Sequence, residues 1–527
     1  MTDMGPKPVD DLGKSPGSPV VKPLRPSYAH FLPYPFLQAR MTTPGDLITT
    51  EYGDGVHEAV RPRIIPITAD SGRPKQLSSL DTQLLDMETR TTPMHVGAVL
   101  MLAPDQPFDI MTLRCLVADR LHEAAPLRRR LRRVPLGLDR PYWQESLSID
   151  LGYHIRAAAL PHGATDRDLA DLVARLHAIP LDQARPLWAF TLISGLEDGR
   201  QAIYTKVHHA VVDGMSAAEI MGVLLDIDAE PRRAPTNAGI RADPTPTVAQ
   251  MLGRGVAHTV TRQFDRLKAP RVLGPVLRHT LSSIRGTHPD LPFNGPSSPD
   301  RAFSFVSLPL GDIKIAKNSI GGTINDVVMT LCTSALRRWL IEHDTTPDRP
   351  LLAAVPVSVR TPEQFGTAGN QFSIMLCELP IDQPDPQLRM KLTHAAVTAA
   401  KQRFRATTPT ALHDASAVLP PLLHGLTTRT LLRMGASSLP LANIIISNVP
   451  GPQIPLYAAG RRVVASYPAS VLTDLAGSVN ITVMSYDGHL DFGIIACPNA
   501  IHDVWKLTDY LSDALTELLS PPANAGQ

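Results

Sequence analysis

The stretch QAIYTKVHHAVVDGMSAAE, residues 201–219, decides how this chain is read. Its first seven residues alternate in the manner of a strand, and Gly214 permits a backbone turn that most residues resist. Ser216 and Glu219 then have capping-box spacing, in which a serine oxygen and a carboxylate close the first turn of a helix. Strand, short turn and helix in succession set His208 and His209 at the mouth of a sheet. A histidine there, with an ordinary pKa of about 6.5, can take a proton from an alcohol and return it to a leaving thiolate. The candidate general base is therefore one of the pair His208 and His209; Asp213 is grouped with them as catalytic, and Gly214 shapes the turn. Asp213 can order the loop or fix the imidazole tautomer; the sequence leaves both open, with a structural role favoured.

Outward from this motif the chain reads as α/β. A helix-like ADLVARLHA at 170–178 precedes it. After it come a strand near 303–308, a helix from Asn325 to Ile341, the strands LLAAVPVSV (351–359) and ANIIISNV (442–449), and SVNITVMSYDGHLDFGII (478–495). The last is expected to be a hairpin turning at Asp487 and Gly488, the residue pair suited to a tight primed turn. Two α/β lobes are expected, at 76–228 and 301–517, with a flexible tail at 518–527.

Two other regions differ in character. Residues 1–75 are rich in Pro, Gly and Ser without an apolar period and are expected to be disordered, with Met41 as an alternative start. Their GKSPG (13–17) lacks the strand and helix that a nucleophile elbow requires. The linker 229–300 is Pro-rich and then basic, with Arg254, Arg262, Arg266, Lys268, Arg271, Arg278 and Arg285 against Asp265. It reads as amphipathic helices that either lie on anionic lipid or pack, solvated, on the second lobe.

The 527 residues carry a formal net charge of +1, which gives no electrostatic case for nucleic acid or an acidic partner. The four cysteines are scattered, so neither a disulfide framework nor a zinc site is indicated, and there is no HExxH. No metal and no cofactor is expected. No stretch approaches the roughly 20 apolar residues of a membrane span, and the N-terminus lacks the apolar core of a secretory signal. The cytoplasm is the expected compartment.

HHAVVDG with its flanks resembles the motif of the coenzyme A-dependent acyltransferases, which include chloramphenicol acetyltransferases and peptide-synthetase condensation domains. More narrowly the chain resembles the bacterial wax ester synthase/diacylglycerol acyltransferase family. That match runs through LSSLDTQLLDMETRTTPMHVGAVLML (77–102), PLRRRLRRVP (126–135), PLWAFTLISGL (186–196), TINDVVMTLCTSALRRWL (323–340), GNQFSIMLCELP (369–380), SNVPGP (447–452) and SYDGHLDFG (485–493). It covers roughly 77–515; the long N-terminus and ACPNAIHD at 496–503 depart from it.

The resemblance implies two similar chloramphenicol-acetyltransferase-like lobes with a substrate tunnel between them and His209 as base, with no acyl-enzyme. It implies acyl-CoA as a substrate and diacylglycerol as acceptor, giving triacylglycerol, with wax esters from long-chain alcohols as a second product. It also implies Arg360 as the partner of Asp213. Asn325 and Asp326 are substrate-binding by resemblance and helix caps by their position. Contact with the inner membrane face or with lipid inclusions accompanies such substrates. The alternatives are acylation of another lipid or polyketide hydroxyl, or a non-catalytic lipid-binding protein that kept the fold.

Overall fold

The computed structural model describes residues 67–69, 74–105, 108–146, 148–212, 220–232, 240–242, 244–266, 289, 291–345, 348–359, 370, 372–406, 442–474 and 476–520. In chain order its strands are β1 (Ile67–Ala69), β2 (His95–Leu102), β3 (Arg129–Arg132), β4 (Tyr142–Glu145), β5 (Ile155–Ala164), β6 (Trp188–Leu196), β7 (Gln201–His208) and β8 (Ile240–Ala242). They continue as β9 (Ala302–Pro309), β10 (Leu351–Ser358), β11 (Phe372–Leu379), β12 (Ile444–Val449), β13 (Leu456–Ala458), β14 (Arg461–Ala469), β15 (Val479–Tyr486) and β16 (His489–Ala496). The helices that matter here are α1 (Ser79–Met87), α2 (Asp166–Ala178), α3 (Val248–Arg266), α4 (Leu310–Ser319), α5 (Ile324–Glu342), α6 (Pro386–Ala406) and α7 (Trp505–Leu519).

Two six-stranded mixed sheets organise the molecule, in the orders β13-β14-β2-β7-β6-β5 and β11-β10-β12-β15-β16-β9. Each is the sheet of one lobe. The lobes are not consecutive in sequence, however. β12 and β15 are parallel neighbours in the second sheet, and the chain between them crosses to the first sheet, where β14 pairs antiparallel with β2.

Local chemistry explains the individual elements. In α5 every position from Asp326 to Leu336 is buried, and the hydroxyls of Thr330, Thr333 and Ser334 survive inside by donating to the carbonyls four residues back. The β15–β16 hairpin turns at Asp487 and Gly488 with φ of 39° and 85°, the left-handed pair of a primed turn. β7 is buried from Ala202 to His208, because both of its faces are covered. Ile203 and Val207 face the core of the first lobe, whereas Tyr204 faces the core between the sheets.

Three cores result. One lies between the second sheet and α4, α5, α6 and α7, and includes Phe293, Leu331, Ile446, Phe492 and Leu511. Another fills the first lobe around Leu100, Trp188 and Phe190. The third joins the lobes, bringing Val99, Leu169 and Val173 of one onto Phe303, Phe305 and Ile495 of the other, with Tyr467 from the crossing strand.

Ordered structure begins ahead of Leu77: β1, inside the segment expected to be disordered, pairs in parallel with β8 from the linker. Three residues are too few to carry a periodic signal, so no pattern announced the strand. The linker also contains α3, and its side chains are described as far as His258. These pack on the first lobe, not the second: Gly255 lies against Leu138, and His258 Nδ1 is 2.7 Å from Asp139 Oδ2. Arg262, Arg266, Lys268, Arg271, Arg278 and Arg285 have side chains outside the described residues. Among the described residues no helix is long and apolar enough to cross a membrane.

Candidate functional site

β7 delivers the histidine pair. His208, its last residue, stands opposite His95 of β2, and the chain turns at once, Val211 N–H donating to His208 O at 2.9 Å. His209 N–H donates to Met94 O at 2.8 Å, which fixes the backbone at the start of the turn.

The two side chains then go opposite ways. His208 is fully buried; its Nδ1 accepts from Ala210 N–H at 3.0 Å, so Nε2 carries the proton, 3.6 Å from Glu88 Oε2. The hydrogen bond to that oxygen comes from Gln183 Nε2, at 2.5 Å. Burial by itself would raise the Glu88 carboxyl, but His208, Gln183 and the Met94 N–H outweigh it and hold the group below its ordinary value.

Behind His208 lies a second buried polar layer. Tyr204 OH donates to His177 Nδ1 at 2.7 Å, and His177 Nε2 donates to Ser470 O at 3.0 Å. Burial and the charges of Lys206 and Arg301 push His177 down to about 3, and burial with His177 and Lys206 sets His95 well below its usual range. Lys206 Nζ donates to Leu176 O and Ile179 O at 2.7 and 2.8 Å, closing the end of α2; burial lowers it to about 8. These groups hold the sheet and helix together.

His209 is half-buried and faces the other lobe. Its Nδ1 lies 3.1 Å from Asn370 Oδ1, and its ring is 5.4 Å from that of Phe372 at the start of β11. Asn370 Nδ2 donates to His209 O at 2.6 Å and to Asp81 Oδ1 at 2.7 Å, and Asn370 N–H reaches the same Asp81 oxygen at 3.2 Å. Asp81 belongs to α1, where it also completes the capping box of Ser78. Asn370 and Asp81 are both buried.

Asp213, Gly214, the Ser216–Glu219 capping box and Arg360 lie outside the described residues. Asn325 and Asp326 are at the start of α5. Asp326 Oδ2 accepts from Thr323 N–H and Oγ1, both at 2.8 Å, and is 2.9 Å from His394 Nδ1, so this carboxylate caps the helix and ties it to α6. Asn325 Oδ1 is 3.5 Å from Asn448 Nδ2, which links it to the SNVPGP turn. Among the described residues no group of three or more His, Cys, Asp and Glu could hold a metal ion.

Sequence reasoning did not single out Asp81, Glu88 or Asn370. Ser78 and Asp81 do carry capping-box spacing, which announces a helix start and nothing more. Asn370 is 161 residues from His209, and no local pattern joins them.

Residues 77–328 match the wax ester synthase/diacylglycerol acyltransferase catalytic domain, and residues 368–519 match the C-terminal domain of the same proteins. The chain belongs to the wax ester synthase/diacylglycerol acyltransferase family. It is therefore an acyltransferase. Among its relatives is a putative diacylglycerol O-acyltransferase of Mycobacterium tuberculosis, 35% identical over 466 residues that cover 86% of this chain and 92% of the relative. Among solved structures it resembles the wax ester synthase/diacylglycerol acyltransferase of Marinobacter aquaeolei, at 28% identity and a TM-score of 0.63 over 84% of this chain and 98% of that one. The first condensation domain of the CDA synthetase shares the fold, with a TM-score of 0.51 at 18% identity over 86% of this chain and 98% of that domain. The two-lobed α/β architecture expected from HHAVVDG is thus that of the family.

Proposed function

We propose that this acyltransferase moves a long-chain fatty acyl group from acyl-CoA to the hydroxyl of diacylglycerol, forming triacylglycerol, and forms wax esters from long-chain alcohols. The observation that carries the reading is the orientation of His209: half-buried at the end of β7 and facing the second lobe, beside a fully buried His208 that is turned toward Glu88 and bonded to the Ala210 backbone. The names of the matched domain and of the relatives support diacylglycerol and wax ester chemistry.

In the reaction His209 takes the proton from the acceptor hydroxyl as its oxygen attacks the thioester carbonyl. The tetrahedral oxyanion collapses, the carbon–sulfur bond breaks, and the coenzyme A thiolate receives the proton from the imidazolium. Base and both substrates meet in one place, so no acyl-enzyme is needed and acyl-CoA enters as a substrate, with no cofactor. The two substrates approach from opposite ends of a tunnel between the lobes. Asp213 anchors the loop with Arg360, and Gly214 allows its turn. His208 supports the strand end. Asn325, which takes no part in the capping by Asp326, is assigned to substrate. Both acceptor classes are insoluble in water, so the enzyme meets them at a lipid surface, the inner membrane face or a lipid inclusion.

The test is to incubate purified protein with labelled palmitoyl-CoA and either diacylglycerol or hexadecanol, beside His209→Ala. Triacylglycerol and wax ester are expected from the wild type and not from the variant. Equal product from both would remove His209 as base, and no product from the wild type would remove the acceptor assignment.

A further inference from the structure

We propose that Asn370, held in place by Asp81, is a positioning residue that reaches across from the second lobe and keeps the proton of His209 on Nδ1, so that Nε2 is the nitrogen that accepts the proton of the attacking hydroxyl. The inference rests on the reading of His209 as general base and adds which ring atom acts and what selects it.

The geometry fixes each proton in turn. One end of the Asn370 amide faces Asp81 Oδ1 at 2.7 Å and His209 O at 2.6 Å. A carboxylate and a carbonyl oxygen only accept, so that end of the amide must be the NH2 group. The other end, 3.1 Å from His209 Nδ1, is therefore the carbonyl oxygen and can only accept. His209 Nδ1 must then donate, and the neutral imidazole keeps its lone pair on Nε2. Asn370 also grips the His209 backbone through the same NH2 group, so the ring and its main chain are held as one unit.

His208 shows the opposite arrangement in the adjacent residue, with Nδ1 accepting and Nε2 protonated. The identical side chains are thus driven into different tautomers by their surroundings alone. Because Asp81 comes from α1 and Asn370 from beyond the second lobe's first strands, the base is set only when the lobes are in register. The titratable groups of the described elements around His209 are Asp81 on α1 and, behind the strand, His208 with Glu88.

Asn370→Ala, Asn370→Asp and Asp81→Asn are to be compared with the wild type and His209→Ala, measuring kcat, KM for palmitoyl-CoA, the pH profile of kcat/KM and Tm. Asn370→Ala is expected to lower kcat by about ten- to a hundredfold with KM within about threefold, because the wrong tautomer removes catalysis and not binding. Asn370→Asp puts an acceptor where Asp81 Oδ1 and His209 O need a donor, so it should lose activity as Asn370→Ala does although it is isosteric. Asp81→Asn can still accept from the Asn370 amide but removes a negative charge, and should move the acidic limb of the profile down with KM and Tm near those of the wild type. A displaced limb at unchanged Tm is not expected of a residue that merely supports the fold, and it remains readable if the Asn370 variants do not fold. An acidic limb that stays in place in Asp81→Asn, or wild-type kcat in Asn370→Asp, would overturn the inference while an inactive His209→Ala left the base reading intact; an active His209→Ala would overturn that reading itself.

Discussion

The two lobes meet in two places that differ in kind. At the seam, β14 and β16 approach so closely that a Cβ on Gly493 would lie 1.7 Å from Pro468 O. Around them Phe305 stacks on Tyr467 with ring centroids 4.3 Å apart. Asp491 is buried in the same seam, accepting from Ser307 Oγ at 2.6 Å and Ser466 N–H at 2.7 Å, and Arg301 reaches Thr91 O across the lobes at 2.6 Å. At the site, by contrast, the described residues that bring the lobes together are Asn370, whose amide lies between His209 and Asp81, and Phe372, whose ring lies beside that of His209. The seam removes a large apolar surface from water and so holds the lobes together; the bridge contributes a few hydrogen bonds and orients a reactive group. Stability and activity therefore reside in separable contacts.

Substitutions can break that separation, and their effects on stability should fall in order. Gly493→Ala should be the most damaging, above about 4 kcal/mol, because the obstructing atom is backbone and cannot rotate away; chemical denaturation should show it, together with loss of activity. Phe305→Ala should cost about 3–4 kcal/mol by emptying a well-packed site in the same seam. A Tm close to that of the wild type in either variant would deny the seam its role.

Asp491 sharpens the contrast through pH. Burial raises its carboxyl from the usual 3.8 to about 6, so between those values the folded chain holds more protons than the unfolded one. Stability from this group is complete below about pH 4 and is lost as the pH rises through 6, by roughly 2–3 kcal/mol. Asp491→Asn should flatten that part of the stability profile, measured by denaturant titration at successive pH values. His209→Ala should be mildest in stability, at about 1 kcal/mol for the bond to Asn370, while product formation falls by roughly a hundredfold or more. A large drop in Tm there would mean that the bridge carries structure as well as chemistry.

Local features of the fold were legible in the sequence. The helix expected from Asn325 to Ile341 is α5, the strand LLAAVPVSV is β10, and the turn at Asp487 and Gly488 takes the left-handed values its residues favour. Their signals are short in range: a period of 3.6 or 2, or two residues suited to positive φ. The crossing of β13 and β14 into the first sheet was not legible, because an edge strand looks the same whichever sheet it joins. Nor was the burial of Tyr204 and Lys206, since alternation reports that faces differ and not what covers them.

HHAVVDG follows the same division. By itself the sequence determined that two histidines sit at the end of a strand, that a proton-transfer role suits one of them, and which family the surrounding segments resemble. Only the tertiary structure decided that His208 turns inward to Glu88 while His209 faces Asn370 and Phe372. Neighbouring residues in a strand point to opposite faces by local geometry. What each face meets is set by chain more than a hundred residues away, and those contacts leave no periodic trace.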